Sequence, residues 1–122
     1  MVSEEAHLLI HGASGRMGQA LVRLCGEQPG LRLVAAMAGR QAPKIESVPG
    51  FSAVQMDELP AFDVAIDFSL PEGFDAILDR CLAQGTAFVS GTTGLDARQR
   101  ARLDEAAARI PVLWAANFRL GV

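Results

Sequence analysis

Short apolar runs alternate with amphipathic stretches along this chain. The run over residues 7–10 is a buried-strand signal that ends at Gly12. Residues 16–28 follow helical spacing, with Met17, Leu21, Leu24 and Cys25 on one face, and Pro29 and Gly30 stop that helix. The run over 31–38 is almost wholly apolar, the pattern of a parallel strand covered on both faces. Residues 39–60 are irregular and contain Pro43, Pro49, Gly50 and Pro60, so a loop-rich crossover with a short strand around 52–55 is expected. The run 63–67 predicts the next strand, with an edge at Phe68 and Ser69. Ser69 and Glu72 then have the spacing of a capping box, Pro71 suits a first helical turn, and Phe74, Ile77, Leu78, Cys81 and Leu82 form an apolar face ending at Gly85. A strand over 87–90, a turn over 91–94 and a helix capped by Asp96 follow. That helix buries Leu103, Ala106, Ala107 and Ile110, Pro111 stops it, and 112–115 predicts a last strand.

Strands separated by helices of this length imply right-handed crossovers and a doubly wound, mostly parallel sheet with helices on both faces. The predicted class is therefore Rossmann-like α/β, formed by a single domain over residues 1–122. Ligands of such sheets bind beyond the carboxyl ends of the strands. That rule singles out residues 12–18, 38–40, 68–69, 91–94 and 116–117.

The first candidate is Gly12-Ala13-Ser14-Gly15-Arg16-Met17-Gly18, a G-x-x-G-x-x-G loop that follows a strand and opens a helix. Gly12 permits the tight turn, Gly15 leaves backbone bare for a pyrophosphate, and Gly18 lets the helix lie close to the sheet. The same glycines also suit a simple strand-to-helix turn, but the flanking elements favour dinucleotide binding. A carboxylate for the adenosine ribose is expected about twenty residues further on. Met37-Ala38-Gly39-Arg40 stands there with no acid, so Arg40 either meets a ribose 2′-phosphate or stacks on adenine, or is a solvated loop arginine. Gly91-Thr92-Thr93-Gly94 places two hydroxyls between glycines, suited to a nicotinamide ribose or carboxamide and equally to an ordinary turn. Asn117, within Ala115-Ala116-Asn117-Phe118, offers a paired donor and acceptor for an amide, or simply a turn. Phe68 is either a wall for a nicotinamide or the last core residue of its strand. His7 and His11 have no Cys, Asp or Glu at a metal-like or triad-like spacing, and Trp114 reads as core.

Composition narrows the class further. Eleven basic residues against fourteen acidic ones give a net charge of −3 with no basic stripe, which argues against a nucleic-acid or anionic-membrane partner. Lys44 is the only lysine. Cys25 and Cys81 belong to no C-x-x-C pair or Cys/His cluster and read as buried free thiols. Residues 1–5 are unlike a signal peptide, and no apolar run is long enough to span a bilayer, so a cytoplasmic protein is expected.

The glycine loop, Ile66-Asp67-Phe68-Ser69 with Pro71-Glu72, Gly91-Thr92-Thr93-Gly94, and Ala116-Asn117-Phe118 with Gly121-Val122 occur in this order. Together they resemble dihydrodipicolinate reductase (4-hydroxy-tetrahydrodipicolinate reductase) of diaminopimelate and lysine biosynthesis. The resemblance covers nearly the whole chain, but only the first domain of the family protein. It implies a two-domain NADPH- or NADH-dependent reductase, assembled as a homo-oligomer, a tetramer. It puts residues 12–17 beside the cofactor pyrophosphate, Gly91, Thr92 and Thr93 beside the nicotinamide, and 115–118 at the same pocket and the hinge. The family's His-His-x-x-Lys catalytic segment and substrate loop belong to a second domain, so the 122 residues alone are expected to bind cofactor without turnover. Two departures stand out: Ala38-Gly39-Arg40 where the family often has an acidic residue followed by arginine, and Arg119 in place of a small polar residue. A non-catalytic dinucleotide sensor is the alternative. A reductase or epimerase that uses a Tyr-x-x-x-Lys pair is disfavoured by the absence of tyrosine.

Overall fold

The structure is a computed structural model that describes residues 5–115. Strand and helix alternate as the hydrophobic pattern requires: β1 (Ala6–His11), α1 (Arg16–Glu27), β2 (Leu31–Met37), β3 (Gly50–Phe51), β4 (Val64–Asp67), α2 (Pro71–Gln84), β5 (Ala87–Ser90), α3 (Ala97–Ala106) and β6 (Val112–Trp114). A 3₁₀ helix, Ala53–Glu58, lies between β3 and β4. The strands form one sheet in the order β3-β2-β1-β4-β5-β6, and every pair is parallel. The chain builds outward from β1 in one direction through β2 and β3, then in the other through β4, β5 and β6. The reversal places the topological switch point between β1 and β4.

Alternation along the strands sends successive residues to opposite faces. Leu9, Ala35, Met37, Ala65 and Phe88 pack with Phe74, Ile77, Leu78 and Cys81 of α2 and with Leu103 and Ala106 of α3. Phe74 meets Phe88 edge to face at 5.7 Å. On the other face Leu8, Ile10 and Ala36 pack with Leu21, Val22 and Cys25 of α1. Fully burying a side chain such as Phe74 or Ile77 contributes about 1.5–3 kcal/mol each, so these two layers dominate stability. Both cysteines are free and buried, and desolvation raises the Cys81 thiol to about 11.

Five details differ from the pattern-based expectation. The short strand after β2 is Gly50–Phe51, and 52–55 instead enters the 3₁₀ helix. Met17 and Leu24 are 38 % and 51 % exposed; the contact face of α1 is Gly18, Leu21, Val22 and Cys25. Leu70, not Ser69, is the N-cap of α2, because the Ser69 hydroxyl is taken by Asp67 at 2.5 Å. Ala107 is exposed beyond the end of α3. Trp114 is half-buried, and its indole Nε1 donates to the Thr92 carbonyl at 3.3 Å. The caps at Asp96, whose carboxylate accepts from the Gln99 amide at 2.7 Å, and at Gly85, with φ +71°, match the sequence signals.

Helices α2 and α3 are joined by polar contacts at their outer edge. Arg98 and Arg102 donate to Asp75 at 3.0 and 2.8 Å, and Arg102 also pairs with Asp79. The Arg98 hydrogen bond, opposed by desolvation and aided by Arg102 and Gln99, holds the Asp75 carboxyl at about 2. A depressed folded-state pKa means the contribution is present above the unfolded value of about 3.9 and is lost as pH falls through the folded one. Urea midpoints should therefore drop between pH 4 and pH 2, and Asp75→Asn should flatten part of that drop. The effect is small because Arg98 is mostly exposed.

The close seating of α1 gives a sharper test. A Cβ on Gly18 would meet the Gly12 carbonyl oxygen at 2.1 Å, whereas one on Gly26 of the same helix would meet nothing within 4 Å. Gly18→Ala should cost about 1–3 kcal/mol in urea unfolding by overpacking. Gly26→Ala should stabilise by up to about 1 kcal/mol through helix propensity. Equal effects from the two would contradict the described contact.

Candidate cofactor site and family membership

The site forms where β1, β4 and β5 end. Gly12 leaves β1 with φ +86°, and a Cβ there would lie 2.6 Å from the Phe68 carbonyl oxygen. Glycine is required twice over, for the left-handed backbone and for the close approach. The amides of Gly12 and Ala13 both donate to the Met37 carbonyl at 2.9 Å, and the Gly15 amide donates to the Gly12 carbonyl at 3.1 Å. These bonds fold the loop and leave the amides of Ser14, Arg16 and Met17 with no partner among the described residues. Gly15 caps α1 without a side-chain hydrogen bond, and no acid sits in the first turn. The positive end of the helix is thus uncompensated. A Cβ on Gly15 would meet only the Gly12 carbonyl oxygen, at 3.6 Å, so bare backbone faces open space.

Ser14, Gly15, Arg16 and Met17 are exposed, and Ala13 is buried. Ser14 also lines a cleft of about 570 Å³ with Gln41, Ala42, Pro43 and Lys44. Arg40 is exposed next to that segment, but the cleft is bounded by Lys44. A cation seven residues past β2 matches no spacing rule, so the sequence gives Lys44 no role.

On the other side of the switch point, Gly91 is half-buried and Thr93 exposed, while Thr92 is buried. The Thr92 hydroxyl donates to Asp67 Oδ2 at 2.9 Å. Of the two hydroxyls expected to be available in this turn, only that of Thr93 faces solvent. Phe68 and Ala115 are half-buried at the rim. Ala116, Asn117 and Phe118 lie outside the described residues, as does Arg119.

The structure also brings together a cluster that the sequence reading passed over. Asp67, fully buried, ends β4 opposite His11 of β1 and Ser90 of β5. Its Oδ1 accepts from His11 Nδ1 at 3.0 Å, the Ser69 amide at 3.1 Å and the Ser69 hydroxyl at 2.5 Å. Its Oδ2 accepts from the Ser90 hydroxyl at 3.2 Å and the Thr92 hydroxyl at 2.9 Å. Burial alone would raise the Asp67 pKa; the His11 hydrogen bond and charge, with Ser69 and Thr92, outweigh it and lower the value. No acid stands at a metal-like or triad-like spacing from His11 in the sequence, and the fold supplies one 56 residues away, across one strand pair.

Comparison with known proteins follows this geometry. Residues 6–118 match the family model described as dihydrodipicolinate reductase, N-terminus. The chain belongs to that family. A 4-hydroxy-tetrahydrodipicolinate reductase of Stenotrophomonas maltophilia (strain R551-3) is 58% identical over 118 residues, covering 94% of this chain and 49% of the relative. One from Xanthomonas campestris pv. campestris (strain B100) is 53% identical over 124 residues, covering 100% of this chain and 52% of the relative. The chain therefore spans about half the length of the curated relatives it matches. Among solved structures, a dipicolinate-bound dihydrodipicolinate reductase from Paenisporosarcina sp. TG-14 superposes with TM-score 0.74 at 22% identity, over 93% of this chain and 48% of that one. At that identity the likeness shows the fold, which is the Rossmann-like one.

Proposed function

We propose that this chain is the dinucleotide-binding half of a 4-hydroxy-tetrahydrodipicolinate reductase, reducing a cyclic imine dicarboxylate with NADPH or NADH. The glycine loop supports the reading most strongly. Amides at Ser14, Arg16 and Met17 that have no partner among the described residues, bare backbone at Gly15 and an uncompensated helix start make a place for a diphosphate. Gly12 and Ala13 hold the loop through the Met37 carbonyl rather than contacting the ligand by their own amides. The Gly91 backbone, the exposed Thr93 hydroxyl and the half-buried Phe68 and Ala115 bound the nicotinamide end. The bound nicotinamide supplies the hydride. This chain's residues orient that ring and exclude water from one side of it. Proton delivery to the substrate falls to the half of the reductase that the match does not cover. The intact protein works as a homo-oligomer in the cytoplasm.

Calorimetric titration of the 122-residue chain with NADH and NADPH should show binding, and an absorbance assay with substrate should show no turnover. Gly15→Val should remain folded, since only one atom lies within 4 Å of the new Cβ, yet lose cofactor binding as its methyl groups cover the loop backbone. Unchanged affinity in a folded Gly15→Val chain would place the phosphate elsewhere.

The segment 38–44 contains Arg40 and Lys44 and no acid, so nothing there repels a ribose 2′-phosphate. Lys44 lines the cleft beside Ser14, and Arg40 is exposed next in sequence to the segment 41–44 that bounds it. A charge-assisted hydrogen bond contributes about 1.5–3 kcal/mol when well made, and exposure trims that toward about 1 kcal/mol. NADPH should bind at least as well as NADH. Arg40→Ala and Lys44→Ala should each weaken NADPH about fivefold while leaving NADH within twofold. The ratio of the two dissociation constants at fixed salt is the measurement, and a variant that shifts both equally, or neither, identifies its cation as a bystander.

A further inference from the structure

We propose that Asp67, held by His11, is a positioning residue that fixes the distance between the two loops of the cofactor site. The inference rests on the dinucleotide-binding reading above and assigns a role to residues that do not themselves reach the ligand. The two oxygens of the carboxylate divide the contacts between them. Oδ1 takes His11, the last residue before the glycine loop, and the Ser69 turn; Oδ2 takes Ser90 and Thr92, at the start of the 91–94 turn. The main chain repeats the link, with the Phe68 amide on the His11 carbonyl and the Gly91 amide on the Asp67 carbonyl, both at 2.9 Å. The Ser90 hydroxyl also accepts from the Thr92 amide at 3.2 Å, so turn and carboxylate are joined twice.

The donor set explains why the group is a carboxylate. Five donors converge on two oxygens, and an ionised carboxylate accepts at both while offering no proton. His11 Nδ1 must then carry the hydrogen. An amide in place of Asp67 would keep one accepting oxygen and turn its NH₂ toward donors. None of this is needed for the sheet alone, since β1, β4 and β5 already pair through their backbones. His11 is 2 % exposed, while Asp67 and Ser90 are fully buried, so these three side chains act through the loops and not by contact.

A dinucleotide must engage both loops, whereas adenosine diphosphate reaches only the glycine loop. Calorimetry with the 122-residue chain, well below its unfolding temperature, should therefore separate positioning from general destabilisation. Asp67→Asn should weaken the reduced dinucleotide at least tenfold and leave adenosine diphosphate within about twofold. His11→Ala should weaken the dinucleotide about fivefold. His11→Asn should restore most of it, because the Asn amide nitrogen lies as many bonds from the backbone as imidazole Nδ1. Dinucleotide affinity unchanged in folded Asp67→Asn, or both ligands weakened in proportion, would overturn the proposal. If Asp67→Asn does not fold, the His11 pair decides, and a His11→Ala chain that binds like wild type sinks the idea. A wild-type chain that binds neither dinucleotide would instead refute the function proposed above. Positioning is then read in the ligand-free chain, from the amide resonances of residues 12–18 and 91–94 in His11→Ala. Shifts in both loops support it, and a shift confined to one overturns it.

Discussion

A carboxylate shielded from water is the fixed point around which the carboxyl edge of this sheet is arranged. Asp67 has no exposed surface. An unpaired ion so placed would cost several kcal/mol, comparable with the whole stability of about 5–15 kcal/mol that a domain of this kind has. The offset comes from donors on the end of β1, the β4–α2 turn, the end of β5 and the turn that follows. All must lie within about 3 Å of one side chain, so strand register and loop path are coupled there. The demand reaches into α2. A Cβ at Gly73 would stand 2.8 Å from His11 Cε1, and this explains a glycine in the first turn of a helix, where it costs up to about 1 kcal/mol of propensity. The same crowding reaches Gly12, whose backbone passes directly over the Phe68 carbonyl.

The alternation of strands and helices is legible because each element long enough to show a period buries apolar residues at that period. β3 is not, since two residues carry none. Gly50–Phe51 pairs with β2 by tertiary contact: the Ala36 amide donates to the Pro49 carbonyl at 3.0 Å, and the Ala38 amide to the Phe51 carbonyl at 3.1 Å. The contact face of α1 is rotated slightly from the one that apolar residues alone would mark. The true face runs through Gly18, Leu21, Val22 and Cys25, with spacings of three, four and seven from the glycine. Hydrophobicity gives Gly18 no weight, so Met17 and Leu24 pulled the expected face aside. The residue that sets how close the helix lies is the one without a side chain.

The glycine loop was readable because its chemistry lies within seven consecutive residues that fold on themselves. The Asp67 cluster was not, because its members are separated by 56, 23 and 25 residues, and no spacing rule spans such gaps. A signal was nevertheless present. His11, Asp67 and Ser90 are each the last residue of an apolar run, and each is the polar residue at its carboxyl end. In a parallel sheet with β1, β4 and β5 adjacent, strand ends in register become a row across one face, and three polar residues in that row must satisfy one another. The Ser69 error has the same origin. Its spacing to Glu72 suits a cap, but a buried anion two residues upstream competes for the hydroxyl and wins.

The two halves of the candidate site are held by different physics, and the difference matters for how ready it is for a ligand. The glycine loop is fixed by steric fit and by neutral backbone hydrogen bonds to the Met37 carbonyl. Nothing in that hold titrates. The 91–94 turn is tied to the rest by a carboxylate, which could in principle be protonated. His11, Ser69 and Thr92 prevent this by stabilising the ionised form more than burial destabilises it, so the pKa lies below the ordinary carboxylate range. The charge is therefore present through the whole neutral range. Both loops hold their relative position before any ligand arrives, and a ligand spanning them avoids the ordering cost that loosely tethered loops would impose.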